Sequence, residues 1–272
     1  MNNRNTGLKI LFGPSYSQWV YDPERLSFIT PYFLSLQTAK YAYQIYSQLL
    51  YENKSQTQSQ WTIALNRTIP TINEKVNLPT PSILLWDMFG GIGTDSIYLS
   101  RYFNVIVTEI DRTVHDLAVK NVRTFNKTNI NLVNDNCMNM INKINPNIVY
   151  FDPPWGTAYK SRTKNFDFNE VYLDCPDNLP SDHPILTNII QLNDQNNNQY
   201  SDQEVPKMEM NEPIIRRINC VDLLRFIHTN VTSYIIVKSP INSNTFERAF
   251  SNSVQYIHKC PNKNLKFIYL SK

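Results

Sequence analysis

The chain has only six glycines among 272 residues, well below the usual share of about 7%, so positions where the backbone must turn in the left-handed region are few. The four cysteines, Cys137, Cys175, Cys220 and Cys260, show no CxxC spacing, which argues against a zinc site and against a disulfide framework. That usage fits a reducing compartment, and the expected location is intracellular, in cytoplasm or nucleus. No apolar run reaches the roughly 18 residues of a membrane span, and the start Met1-Asn2-Asn3-Arg4-Asn5 has no signal-peptide core. Charge of one sign is also scarce. A net charge of +3 and a pI near 8.5 suit a polyanionic ligand without demanding one. The four histidines, His115, His183, His228 and His258, sit in no motif; no metal is expected, and no repeat or coiled coil is visible.

What is present is concentrated. Three of the six glycines fall at Gly90, Gly91 and Gly93, between the apolar run Ile83-Leu84-Leu85-Trp86 and the helix-like Thr94 to Leu99. This reads as strand, tight turn, helix, with backbone exposed to a closely approaching ligand. The spacing is neither GxGxxG nor a phosphate loop, since no Lys follows, so a nucleoside triphosphate is disfavoured. A second strand, Val105 to Asp111, ends in acids about 20 residues past the glycines, where α/β nucleotide folds place a carboxylate on ribose hydroxyls. Glu109 is the first candidate and Asp111 the second. A third strand over 130–136 ends in Asn134-Asp135-Asn136, suited to an adenine edge. Helical segments such as Val114 to Asn126 alternate with these strands, the pattern of a doubly wound, mostly parallel sheet.

The fourth strand, Ile148-Val149-Tyr150-Phe151, runs into Asp152-Pro153-Pro154-Trp155. Two consecutive prolines end the ladder and stiffen the turn, leaving carbonyls without strand partners. A carboxylate and a carbonyl on a rigid turn can accept the hydrogen bonds of an exocyclic amine, and an indole beside them offers a face for a base. The residues point to a nucleobase amine held for chemistry.

Outside this core the text is less specific. Thr30-Pro31 opens a helix running to Leu50, with Thr as cap and Pro at the first helical position; its aromatics Tyr32, Phe33, Tyr41, Tyr43 and Tyr46 read first as packing. A polar run over 52–60 follows. Residues 160–213 form a polar insert, after which 214–229 reads as helix, 234–238 as strand and 254–268 as a closing hairpin. Asparagine takes 34 positions, a bias of AT-rich codons that points to a viral or protist genome.

The order of glycine turn, acid, Asp/Asn and Pro-Pro motif resembles class I S-adenosylmethionine-dependent methyltransferases over about residues 83–160. Within that superfamily the chain is most similar to the trimethylguanosine synthase family of RNA cap guanine-N2 methyltransferases. The likeness rests on Phe28-Ile29-Thr30-Pro31, on Asp87 to Gly93 against D-x-F-x-G-x-G, on Val105 to Asp111 against V-I-x-x-D-I-D, on Asp152 to Thr157 against S-P-P-W-G-G, and on the closing hairpin. It implies a Rossmann-like seven-stranded core over 76–272, a helical arm over 1–75 capping the active site, and S-adenosyl-L-methionine as cofactor. By the same likeness Asp87, Phe89, Gly90, Gly91, Gly93, Thr94, Glu109, Asp111, Asp135 and Asn136 hold the donor. Asp152, Pro153, Pro154 and Trp155 form the catalytic element, and Trp155, Lys160, Arg162 and Lys238 meet the substrate, a 5′ cap, with Lys164 and Arg25 as further basic candidates. Two departures bear on the target base: Asp152 replaces the family's Ser, as in many N6-adenine methyltransferases, and Thr157 replaces its second Gly. Three readings follow: a cap guanine-N2 methyltransferase, an N6-adenine or non-cap guanine-N2 methyltransferase on DNA or structured RNA, and an inactive methyltransferase-fold subunit. Oligomeric state is open.

Overall fold

The computed structural model describes residues 2–52, 83–155, 166–177, 179, 183–185, 217–260 and 264–272. Its centre is one seven-stranded sheet in the order β3-β2-β1-β4-β7-β9-β8. The strands are β1 (Leu84–Asp87), β2 (Asn104–Thr108), β3 (Ile130–Val133), β4 (Ile148–Phe151), β7 (Tyr234–Pro240), β8 (Val254–Cys260) and β9 (Leu265–Ser271). β9 alone in this sheet runs against its neighbours, antiparallel to both β7 and β8. This is the doubly wound, mostly parallel class I methyltransferase sheet that the sequence led us to expect. β4 is buried at every position and β1 at three of four, as strands of a sheet covered on both faces must be, which is why they read as continuous apolar runs.

One face carries α2 (Tyr32–Glu52), α3 (Thr94–Leu99) and α4 (Arg112–Thr124), the last packing Val114 and Val122 against Ile97 of α3, and the other is covered by residues 220–227 packed on Trp86, Val149 and Phe151. α2 is part of this sandwich. Its Leu34, Ala39, Ala42, Ile45 and Tyr46 share one cluster with Tyr150, Ile236 and Tyr269 of the sheet. Tyr46 meets Tyr234 edge-on at 4.9 Å and Tyr43 stacks on Tyr102 at 5.3 Å, so these aromatics pack, as expected. Ahead of α2, α1 (Asn2–Phe12) leads into a cluster of Phe12 and Trp19 with Ile97 and Val122. Asn121 of α4 stitches this segment down: its amide accepts from Val20 N at 2.7 Å and donates to the carbonyls of Val20 and Ile92.

The structure corrects two local expectations. Thr30, read as the cap of α2, gives its hydroxyl to Asp95 instead. The helix expected over 214–229 begins only at Cys220 as α5 (Cys220–Asn230), because Arg217–Asn219 forms β6, antiparallel to β5 (Tyr172–Asp174), and Asn219 caps the helix by accepting from Val221 N at 2.8 Å. Local propensity gave no sign of this pairing, since the partner strand lies more than forty residues away. A short helix, α6 (Thr245–Ala249), follows β7. Most of the expected insert lies outside the described residues, but Phe166 and Phe168 are buried in the main core. Among the described residues no helix is long and apolar enough to cross a membrane.

Candidate active site

Strand order reverses between β1 and β4, and ligands of such sheets bind outside the carboxyl ends at that point. A cavity of about 530 Å³ opens there, and a second of about 250 Å³ adjoins it; Phe89, Glu109, Ile110 and Pro154 line both.

The glycine turn forms the floor of the larger cavity. Gly91 and Gly93 have φ of +55° and +83°, the left-handed region that side chains other than Gly enter at a cost of about 1–2 kcal/mol. A Cβ on Gly91 would point into open space, whereas one on Gly90 would lie 2.0 Å from Val107 Cγ1. Gly90 is therefore a packing glycine and Gly91 a ligand-approach glycine. Glu109, at the end of β2, accepts from Gly91 N and Asp111 N, each at 2.9 Å, and so ties the turn to the strand. Asn134 Nδ2 in turn donates to the carbonyls of Glu109 and Ile110.

Of the residues read as donor-binding, Asp87, Phe89, Gly90, Gly91, Thr94 and Glu109 line the larger cavity, and Asp135 and Asn136 the smaller. Gly93 and Asp111 line neither; Asp111 caps α4, accepting from Thr113 N at 2.9 Å. The residues present fit an extended nucleoside: a bare backbone turn, a half-buried carboxylate between two cavities, and Asp135 at the far end. S-adenosyl-L-methionine is the cofactor that such a set of groups suits.

Asp152, Pro153, Pro154 and Trp155 all line the larger cavity together with the glycine turn. Register explains the neighbours of Asp152: Phe151 pairs with Val237, so the next residues, Asp152 and Lys238, stand side by side on one face. Lys238 Nζ reaches Asp152 Oδ2 at 2.5 Å and Asp95 Oδ2 at 3.7 Å, and lies 5.5 Å from the centroid of the Trp155 ring. Asp95 also accepts from Thr30 Oγ1 at 2.7 Å and Ser35 Oγ at 2.5 Å, and Asp87 accepts from Ser96 Oγ. Burial, offset in part by Lys238, raises Asp152 to about 6. Burial also raises Asp87 to about 7, despite the Ser96 hydrogen bond. For Lys238 burial works the other way, but Asp152 and Asp95 outweigh it and hold the ammonium above its ordinary range.

Lys238, read as a substrate contact, lines the larger cavity. It is 3% exposed and shared by two carboxylates. Lys160, Arg162 and Lys164 lie outside the described residues. Sequence reasoning missed Asp95, Ser35 and the bond of Thr30 to Asp95; the one available signal was a carboxylate, Asp95, in the first turn of a helix.

The family model of RNA cap guanine-N2 methyltransferases matches residues 82–193. An uncharacterised protein of Acanthamoeba polyphaga mimivirus is 25% identical over 123 residues, 40% of this chain and 48% of that protein; the chain spans about half the length of this relative. Among solved structures, a SAM-dependent methyltransferase of Neisseria gonorrhoeae is 16% identical with a TM-score of 0.38, over 69% of this chain and 61% of that one. A putative methyltransferase of Escherichia coli is 16% identical with a TM-score of 0.37, over 71% and 79%.

Proposed function

We propose that this chain, which has the class I methyltransferase fold and resembles the RNA cap guanine-N2 methyltransferases, transfers a methyl group from S-adenosylmethionine to the exocyclic N2 amine of a 7-methylguanosine cap. The supporting observation is that Trp155 lines the same cavity as Asp152 and the glycine turn, so an aromatic platform and an amine acceptor share one space. A guanine methylated at N7 carries delocalised positive charge, and stacking it on an indole adds a cation–π attraction of about 0.5–2 kcal/mol. The matched family and the mimivirus relative favour RNA of a virus or its host cell as the substrate's setting, in cytoplasm or nucleus.

The donor supplies an electrophilic methyl on a sulfonium, so the protein's part is orientation and exclusion of water. Asp152 and the Pro153 carbonyl accept the protons of the amine, drawing its lone pair out of conjugation with the ring and stabilising charge that develops on nitrogen. Asp152, with its pKa near 6, is mostly ionised at neutral pH and takes the proton released after transfer. Leu11, Leu26 and Ile29 from the N-terminal segment also line the cavity and give it apolar surface.

Incubation with a labelled methyl donor and cap analogues tests the reading. Turnover is expected on N7-methylated caps and weak turnover on unmethylated ones; Trp155→Ala should abolish it while donor binding survives, and Trp155→Phe should fall between. Preference for unmethylated caps would overturn it. Asp152 in place of Ser favours a second reading, methylation of adenine N6 or of guanine N2 outside a cap, and transfer only to adenine in DNA or RNA would establish the first of these.

A further inference from the structure

Four elements meet at one buried polar cluster. Thr30 and Ser35, at the entry to α2, both donate to Asp95 of α3; Asp95 lies 3.7 Å from Lys238 of β7; and Lys238 is 2.5 Å from Asp152, just past the end of β4. Thr30 and Ser35 are each 1% exposed, Asp95 8% and Lys238 3%. The two hydroxyls and the ammonium thus partner Asp95, which also lines the larger cavity. It stands in the first turn of α3, two residues past Gly93, and burying a charge is unfavourable unless it is paired and hydrogen-bonded. The arrangement asks for a function.

We propose that Asp95 and Lys238 are positioning residues that connect the N-terminal segment to Asp152: the hydroxyls of Thr30 and Ser35 hold Asp95, Asp95 shares the Lys238 ammonium with Asp152, and this sharing fixes the direction and the charge of the Asp152 carboxylate. The proposal rests on the reading of Asp152 as the group that meets the substrate amine. Its chemistry is a division of one cation between two anions. With Lys238 removed, Asp152 stands among Asp95, Asp87 and Tyr150 without compensation and holds its proton to higher pH. With the charge of Asp95 removed, the ammonium belongs to Asp152 alone, which then ionises at lower pH. With the two hydroxyls removed, Asp95 draws Lys238 toward itself and Asp152 again holds its proton longer. Folding of the N-terminal segment onto the sheet thus completes the acceptor, and a chain whose segment is displaced has a weaker one. Charges that bear on Asp152 come from each packed element: Lys238 on β7, Asp95 on α3, Asp87 on β1, and the Tyr150 hydroxyl on β4 itself, held well above its ordinary range by burial first and then by these carboxylates.

The test is a carboxyl-carbon NMR titration of the full chain labelled at aspartate, with Asp152 identified as the resonance absent from Asp152→Asn. Lys238→Met should move the Asp152 titration upward by about one pH unit or more, and Asp95→Asn should move it downward. Thr30→Val with Ser35→Ala should move it upward, and adding Asp95→Asn should erase that effect. Lys238→Arg and Ser35→Ala alone, which preserve most of the packing, cover the case in which a harsher variant fails to fold; Arg should keep the titration near that of the unaltered chain, and Ser35→Ala should move it part of the way. A titration indifferent to Lys238→Met and Asp95→Asn overturns the proposal, and one indifferent to the hydroxyl variants overturns the part played by the N-terminal segment. A packing role alone would lower turnover at every pH and leave the titration in place. If the titration moves as described and no cap, RNA or DNA substrate accepts methyl, the connection stands and the functional reading falls.

Discussion

Two acids two residues apart show how one residue's role is decided by what its oxygens meet. Glu109 lines both cavities and holds the Gly91 amide, while Asp111 caps α4. Glu109→Ala removes a charged acceptor for the ribose, an interaction of about 1.5–3 kcal/mol, so donor affinity by calorimetry should fall roughly tenfold or more; a change within twofold would remove Glu109 from the site. Asp111→Ala should instead lower stability by about 1 kcal/mol, the size of a helix cap, and leave donor affinity intact. Asp87 makes a further prediction. Its carboxyl titrates near 7 in the fold against 3.8 for an unperturbed Asp, so the folded chain keeps a proton that the unfolded chain releases. The contribution of this group to stability is present below about pH 4, falls as pH rises through this window and is lost above about pH 7. Thermal melts of Asp87→Asn should show a flatter dependence between those limits; an unchanged slope would contradict the raised value.

At the scale of elements, the glycine turn separates packing from binding. Gly90→Ala would push a methyl against Val107, and overpacking of this kind costs about 1–3 kcal/mol; the melting temperature should drop, and Val107→Ala in the same chain should restore much of it. A Cβ at Gly91 meets no neighbour, so the Gly91→Val chain should fold with a loss of about 1–2 kcal/mol or more from its positive φ, and donor affinity should fall at least tenfold. If the folded Gly91→Val chain binds donor unchanged, the cavity over this turn is not the donor site.

For the whole molecule, the N-terminal segment was expected as an arm capping the active site. The packing of α2 makes a stronger demand. Its apolar face covers Tyr150, Ile236 and Tyr269, and each large side chain uncovered forfeits about 1.5–3 kcal/mol, a large part of the 5–15 kcal/mol that holds a domain together. A chain beginning at Asn77 should aggregate or melt without cooperativity in size-exclusion and thermal measurements. A soluble, cooperatively melting product would show that α2 can be dispensed with.

What the sequence determined by itself is local or periodic. The apolar runs of β1, β2 and β4 mark a parallel sheet because strands buried on both faces admit no alternation. The glycine cluster marks a tight turn because few other residues tolerate its φ, and Asp152 to Trp155 mark a stiff strand end because proline cannot continue a ladder. Tertiary structure decided what depends on partners far apart in the chain. Lys238 faces Asp152 through strand register across 86 residues, and Ser35 reaches Asp95 across 60. β6 forms only because β5 lies beside it. Glu109 and Asp111 look alike as neighbouring acids, and only the cavity on one side and the helix end on the other give them different work.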